Sequence, residues 1–167
     1  MRGEASFGKV QEMAEYAREE INSIGGFYAY GRELKNGSSI YDFDVTKLSV
    51  YTRDIGLAGI EVYDLLRDEY DIQIEFGDIA NILAYISIGD RIQDIERLVG
   101  ALADIKRLYS KDPSQMLNTE YIAPKVVVSP QKAFYAKDES LPIRETAGCI
   151  CSEFVMCYPP GIPILAP

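Results

Sequence analysis

Residues 47–88 decide the fold of this chain: KLSVYTRDIGLAGIEVYDLLRDEYDIQIEFGDIANILAYISI. Apolar and polar residues alternate over Lys47–Arg53 and again over Ile72–Phe76, and this period of two predicts half-buried strands. Between them, Ala58–Tyr70 carries a broad apolar face at helical spacing and predicts a helix. Ile82–Ile88 is almost wholly apolar, which is typical of a central strand that is buried on both faces. The stretch therefore predicts the order strand, helix, strand, strand.

Two longer helices flank this stretch. Lys9–Ile24 and Arg91–Tyr109 place apolar residues three and four positions apart, with charged residues between them. Gly25 and Gly26 are predicted to end the first helix, as glycine commonly does just past the last turn, and Phe27–Tyr30 predicts a short strand. This order of elements favours an α+β fold, in which helices pack on one face of a small, mostly antiparallel sheet.

A polar, turn-rich segment divides the 167 residues. Residues 111–123 predict a linker between a first domain, residues 1–110, and a small α/β segment, residues 124–167, in which Ser129-Pro130 opens a short helix through Tyr135. Residues 1–123 carry 13 basic and 22 acidic residues, so the whole net charge of −9 lies there, whereas residues 124–167 carry four of each. Such an acidic chain without a basic stripe is unsuited to nucleic acid. The acidity serves either solubility or the attraction of cationic small molecules.

The residue types that are absent exclude several chemistries. The chain has no histidine, which excludes Ser-His-Asp and Cys-His nucleophilic catalysis and removes the commonest transition-metal ligand. Cys149, Cys151 and Cys157 are too few for a structural zinc ion and are predicted to be reduced thiols, so we expect no metal site. No apolar run is long enough to cross a bilayer, and the N-terminus lacks the apolar core of a signal peptide, so we expect a cytoplasmic protein that does not bind membranes.

The last 21 residues, AGCICSEFVMCYPPGIPILAP, contain the candidate site. If Cys149–Tyr158 is extended, Glu153 shares one face of a strand with Cys149, Cys151, Val155 and Cys157. A charge in such an apolar row needs a partner, which is either an arginine or lysine of the fold or the cation of a ligand. The prolines and glycine of Tyr158–Pro163 fix a rigid bend, either a buried loop between strands or the wall of a binding site.

Several motifs carry a family resemblance when they are taken in chain order. The C-terminal motif consists of Ala147-Gly148, Ser152-Glu153 and Tyr158–Pro163. The upstream motifs are YDFDVTKL at Tyr41–Leu48, DIANIL at Asp78–Leu83, Gly89-Asp90, and PQKAFY at Pro130–Tyr135. Together these motifs resemble the pyridoxal-phosphate-dependent ornithine/lysine/arginine decarboxylases, which have an aminotransferase-like fold. The chain departs from the family pattern at Cys149, where a basic residue is more common, and at Cys157, which is a variable position; Val45 stands where proline is frequent.

The resemblance implies a division of the chain. Residues 1–110 correspond to the small domain with its leading linker helix, residues 111–123 to a linker, and residues 124–167 to the start of a C-terminal domain. The family holds its cofactor on a lysine in a Ser-x-His-Lys type motif of a large domain, and this chain has no histidine. We therefore expect a fragment truncated at both ends, with no catalytic and no cofactor-binding residue, and inactive alone. The parent is expected to be a homodimer or higher homo-oligomer that uses pyridoxal phosphate to convert arginine, lysine or ornithine to an amine and carbon dioxide.

The predicted substrate-binding residues are Glu153, Tyr158, Pro159 and Gly161. A basic amino acid ends in an ammonium or guanidinium group, and we expect the Glu153 carboxylate to bind that cation at the entrance of the active site. The alternative function is of another class: a stand-alone, non-catalytic module that retains the small domain and acts by pairing with a protein partner.

Overall fold

The computed structural model describes residues 2–116, 125–157 and 161–165. The chain separates into two compact units, Met1–Leu117 and Asn118–Pro167, and each is described by itself. Short 3-10 helices lie at Arg32–Leu34, Arg53–Ile55 and Pro113–Gln115 of the first unit. The longer elements of that unit, in chain order, are α1 (Arg2–Ile24), β1 (Tyr28–Ala29), β2 (Lys47–Tyr51), α2 (Gly59–Tyr70), β3 (Phe76–Gly77), β4 (Asn81–Tyr85) and α3 (Ile92–Tyr109).

The four strands form one antiparallel sheet in the order β1-β2-β4-β3. The register places Leu48 opposite Ala84 and Val50 opposite Ile82. These side chains point to the same face, where they are buried with Ala29 against the helices. The predicted α+β class, with helices on one face of a small antiparallel sheet, is thereby confirmed, and β4 is central as predicted.

The strand side chains on the other face of the sheet are all half-buried or exposed. We call this surface the open face. Leu83 is half-buried and Tyr85 is 51% exposed, so the prediction that Ile82–Ile88 is buried on both faces is wrong. The strand also ends early, because the Ser87 N–H donates to the Asp90 carboxylate (2.6 Å) and the chain turns toward α3. The strand residues of the open face are Tyr28, Lys47, Ser49, Tyr51, Phe76, Asn81, Leu83 and Tyr85.

Helix α1 begins at Arg2, earlier than the predicted Lys9, and ends at Ile24 as predicted. It buries Val10, Ala14, Ala17 and Ile21 in a stripe of three- and four-residue spacing. Gly25 and Gly26 follow with φ of 72° and 76°, the left-handed region in which glycine has no steric cost. The predicted glycine termination is therefore confirmed.

One charged side chain of α1 is buried. Arg18 is 5% exposed, and its guanidinium donates to the carbonyl of Tyr30 (2.6 Å), the carbonyl of Val45 (3.0 Å) and the carboxylate of Glu15 (2.8 Å). Since a buried charge is tolerated only when it is paired and hydrogen-bonded, these contacts fix α1 to the end of β1 and to the loop before β2.

The predicted strand Ile72–Phe76 is largely wrong, because only Phe76 of this range lies in β3, although the Glu75 N–H also donates to the Leu83 carbonyl of β4 (2.9 Å). Asp71 ends α2 in the left-handed region (φ 52°), and the Ile72 N–H donates back to the Leu66 carbonyl of the helix (2.8 Å). The chain is thus held to the helix terminus before it reaches the sheet. The alternation itself is correct, since Ile74 is buried between two exposed neighbours.

The second unit contains α4 (Pro130–Phe134), a 3-10 turn at Ile143–Glu145, and a hairpin of β5 (Val155–Cys157) and β6 (Ile162–Leu165). The short helix predicted after Ser129 is confirmed, with proline in its first turn, although the Ser129 side chain makes no capping hydrogen bond. Within residues 125–156, no side chain is buried; Phe134 and Ile143 are 81% and 78% exposed. In this chain, therefore, this segment buries no apolar core. The identification of the two units with domains of an enzyme stays a prediction.

Two glycines allow α2 to approach the sheet closely. A Cβ at Gly59 would collide with the carbonyl of Asn81, and one at Gly77 would collide with the carbonyl of Gly59. We expect Gly59→Ala to lower the free energy of unfolding by about 1–3 kcal/mol, because neither backbone can move away without breaking the pairing of β3 and β4. Urea unfolding of the chain, followed by circular dichroism, measures this change.

Gly100→Ala is the matched control. Gly100 lies within α3, is exposed and has open space where a Cβ would be. There alanine should raise stability by about 0.5–1 kcal/mol through its better helix propensity. Equal stability of the two variants would contradict the close packing of α2 on the sheet.

Candidate functional site

Glu153 lies in a bend two residues before β5 and its side chain is exposed. The expected extended run from Cys149 is wrong, since the strand begins only at Val155. The Cys151 thiol donates to the Glu153 carbonyl (2.7 Å) and so bends the chain locally. Cys149 is exposed and Cys151 half-buried, both as free thiols. The predicted apolar row with a carboxylate in it does not form.

The Glu153 carboxylate has neither a hydrogen bond nor an ion pair to any residue that the structure describes. The sequence left two partners open for Glu153: an arginine or lysine of the fold, or the cation of a ligand. No described arginine or lysine pairs with it. An exposed carboxylate keeps its hydration, so it needs no partner for stability. It remains available to a ligand.

The hairpin separates the described members of the predicted site. Gly161 has φ of 85° and leads into β6, beside the Cys157–Ile162 pair at the turn end of the hairpin. Glu153 precedes Val155, which pairs with Leu165 at the open end. Tyr158 and Pro159 lie outside the described residues. Gly161 thus makes the turn predicted for it, but the hairpin does not bring it next to Glu153.

Carboxylates line two open cavities of the first unit. One of about 530 Å³ lies along α1, with Glu12, Glu15 and Glu19 in its wall. The other, of about 320 Å³, lies beside α2. Glu61 in its wall is partly buried, which alone would raise its pKa, but hydrogen bonds from Lys111 and from the Ala58 N–H outweigh this and lower the pKa. In each cavity wall the acidic residues outnumber the single basic residue.

The described residues do not fit pyridoxal phosphate. The cofactor carries an anionic phosphate and is held by a lysine, whereas the acidic cavities repel anions. Two of the lysines are already engaged, since Lys106 donates to the Ile24 carbonyl (2.6 Å) and Lys111 donates to Glu61. A metal ion has no site either among the described residues, which contain no cluster of three or more cysteine, aspartate or glutamate ligands. Nor does any described helix have the length and apolar character to span a membrane.

Sequence reasoning missed the open face and Arg18. The signal for the open face was present, because the alternation that buries Leu48 and Val50 necessarily turns Ser49 and Tyr51 outward. For Arg18 the sequence offers no comparable signal, since its carbonyl partners outside α1 come from residues 12 to 29 positions away.

Three bacterial proteins, each named arginine decarboxylase, are similar to nearly the whole chain. The protein of Bacillus subtilis is 38% identical over 159 residues, which cover 93% of this chain and 32% of that protein. The proteins of Halalkalibacterium halodurans and Bacillus cereus are each 35% identical over 168 aligned residues, which cover 99% of this chain and 34% and 36% of those proteins. No family model and no solved structure matches the chain. The chain is thus homologous to bacterial proteins named arginine decarboxylase, and it spans about a third of their length.

Proposed function

We propose that residues 1–167 are part of a pyridoxal-phosphate-dependent arginine decarboxylase, a carbon–carbon lyase, and that they serve substrate binding rather than bond cleavage. The observation that carries this proposal is the similarity of 93–99% of the chain to proteins named arginine decarboxylase. Those names favour arginine over lysine and ornithine as the substrate. We also propose that the parent protein is a homo-oligomer, as the resemblance of the motifs implies.

The chemistry divides between this chain and the rest of such an enzyme. Loss of carbon dioxide from an amino acid leaves an electron pair, and pyridoxal phosphate, when bound, supplies the electron sink for it. The described residues offer no fitting cofactor site, and the chain has no histidine to move protons. We therefore assign the cofactor lysine and the catalytic groups of the proposed enzyme to the part of the relatives' length that this chain does not cover.

Glu153 is the residue of this chain to which we assign a contact with substrate. A guanidinium is planar and always charged, and it pairs best with a carboxylate through two parallel hydrogen bonds. Glu153 is exposed and has no partner among the described residues. In water such a pair contributes only about 0.2–1 kcal/mol, whereas a charged hydrogen bond shielded from water contributes about 1.5–3 kcal/mol. The contact thus becomes strong where the rest of the enzyme closes over it.

The first test measures carbon dioxide release by the full-length polypeptide. Purified with pyridoxal phosphate, it should convert arginine with a kcat/KM at least tenfold above that for lysine or ornithine, because only arginine presents a bidentate cation. A preference for lysine or ornithine would contradict the assigned substrate. Release from none of the three would contradict the enzyme proposal and favour the non-catalytic pairing module.

The second test concerns Glu153. In the full-length enzyme, Glu153→Gln should raise the KM for arginine about tenfold, the equivalent of about 1.4 kcal/mol, and leave kcat within a factor of about three. The reason is that the amide keeps the shape of the side chain but loses the charge.

Glu139→Gln is the control, since Glu139 is an exposed carboxylate of the same unit and belongs to no predicted site. Its KM for arginine should equal that of the unchanged enzyme. The same KM in both variants would remove Glu153 from the substrate site.

A further inference from the structure

Backbone groups at both edges of the sheet in the first unit already have partners. In β1 the backbone groups of Ala29 point outward, and the Asn22 side chain binds both: it accepts from the Ala29 N–H (2.7 Å) and donates to the Ala29 carbonyl (3.2 Å). At the opposite edge, the Ile60 N–H at the start of α2 donates to the carbonyl of Asp78, directly after β3 (2.8 Å). A partner is therefore not expected to join this sheet by adding a strand.

The open face has the composition of an interface. Its strand positions hold three tyrosines, Phe76 and Leu83, and Lys47 is the only charged residue among them. Tyr28 and Tyr85 are 36% and 51% exposed, and the Lys47 ammonium lies 3.7 Å from the centre of the Tyr85 ring. Tyrosines with a buried body and an accessible hydroxyl are enriched where proteins contact one another, whereas charges are depleted there.

The area of the open face indicates whether its partner is a separate protein or a segment of the same polypeptide. The two central strands have five residues each, so the face measures about 17 Å by 15 Å, roughly 250 Å². Stable association of free proteins buries about 800 Å² on each side. A second copy would also bring a second charge of −9, which opposes self-association. A segment of the same polypeptide needs less area, because its effective concentration is already about millimolar.

We propose that the open face packs against another part of the same polypeptide, the part that corresponds to the two thirds of the arginine decarboxylase relatives to which this chain does not align. This inference rests on the proposed function, since it requires the longer polypeptide. The occupant is an apolar surface that offers an acceptor to the Lys47 ammonium. The open face is thus the surface through which this unit is held in the parent protein.

The test compares Tyr85→Glu in the 167-residue chain and in the full-length polypeptide. In the chain alone the new carboxylate stays in water beside Lys47, so the Tm should change by less than about 2 °C. In the full-length polypeptide it is buried against an apolar surface, and the Tm of the transition that includes this unit should fall by at least about 5 °C. Tyr41→Glu is the control, because Tyr41 is 77% exposed and lies outside the sheet; it should change neither Tm.

Tyrosine labelling provides an independent readout, which does not require the variant to fold. In the unchanged proteins, modification of Tyr28 and Tyr85 by N-acetylimidazole should be at least fivefold slower in the full-length polypeptide than in the 167-residue chain, whereas Tyr41 should react equally in both. Equal rates for Tyr28 and Tyr85, or equal Tm shifts for Tyr85→Glu, would overturn the proposal. Neither measurement depends on activity. A polypeptide that protects the open face but releases no carbon dioxide would therefore contradict the proposed function and leave the proposal about the open face standing.

Discussion

The buried guanidinium of Arg18 is the constraint on which the first unit depends. It connects α1 to three separate backbone carbonyls, those of Tyr30, Val45 and Lys47, while Glu15 balances its charge. Removing one partner of a buried charge costs about 3–5 kcal/mol, a large fraction of the stability of a small domain. The helix, the end of β1 and the start of β2 therefore cannot shift independently of one another.

This constraint determines which face of the sheet is covered. With α1 fixed beside β1 and β2, the side chains of Leu48 and Val50 turn toward the helices and are fully buried. The alternating residues of the same strands are then left on the open face. Asn22 binds backbone groups at one edge of the sheet, and α2 does so at the other. The open face is therefore the surface through which the sheet can contact another protein segment.

The sequence predicts those elements that a local pattern specifies. The predicted bounds were correct within a few residues for α1, α2, α3 and β2, apart from the earlier start of α1. Each of these elements has a continuous periodicity and a clear terminator such as Gly25. The errors concern elements that depend on distant neighbours. The composition of β4 predicts a strand that is buried on both faces. The local sequence does not determine, however, whether a second layer of structure covers the sheet. Ile72–Phe76 has the alternation of a strand. Asp71 is in the left-handed region, however, and the Ile72 N–H that follows it is hydrogen-bonded to the end of α2 instead of to the sheet.

The candidate site shows the same limit. The sequence correctly assigned a turn to Gly161, since the φ that it adopts is one that other residues avoid. The apolar row around Glu153 required an extended run, but a hydrogen bond from the Cys151 thiol accompanies a bend there. Within residues 125–156 no side chain is buried, so the contact with substrate that we propose for Glu153 depends on residues that the local sequence does not contain.

We propose that this chain forms about a third of a longer enzyme, and the mass of the native polypeptide tests this directly. That mass can be measured in an extract of the source cells by mass spectrometry of every species that yields peptides of residues 1–167. We expect a single polypeptide about three times as long as this chain, in proportion to the relatives of which it covers 32–36%. A native polypeptide of 167 residues would contradict the proposal.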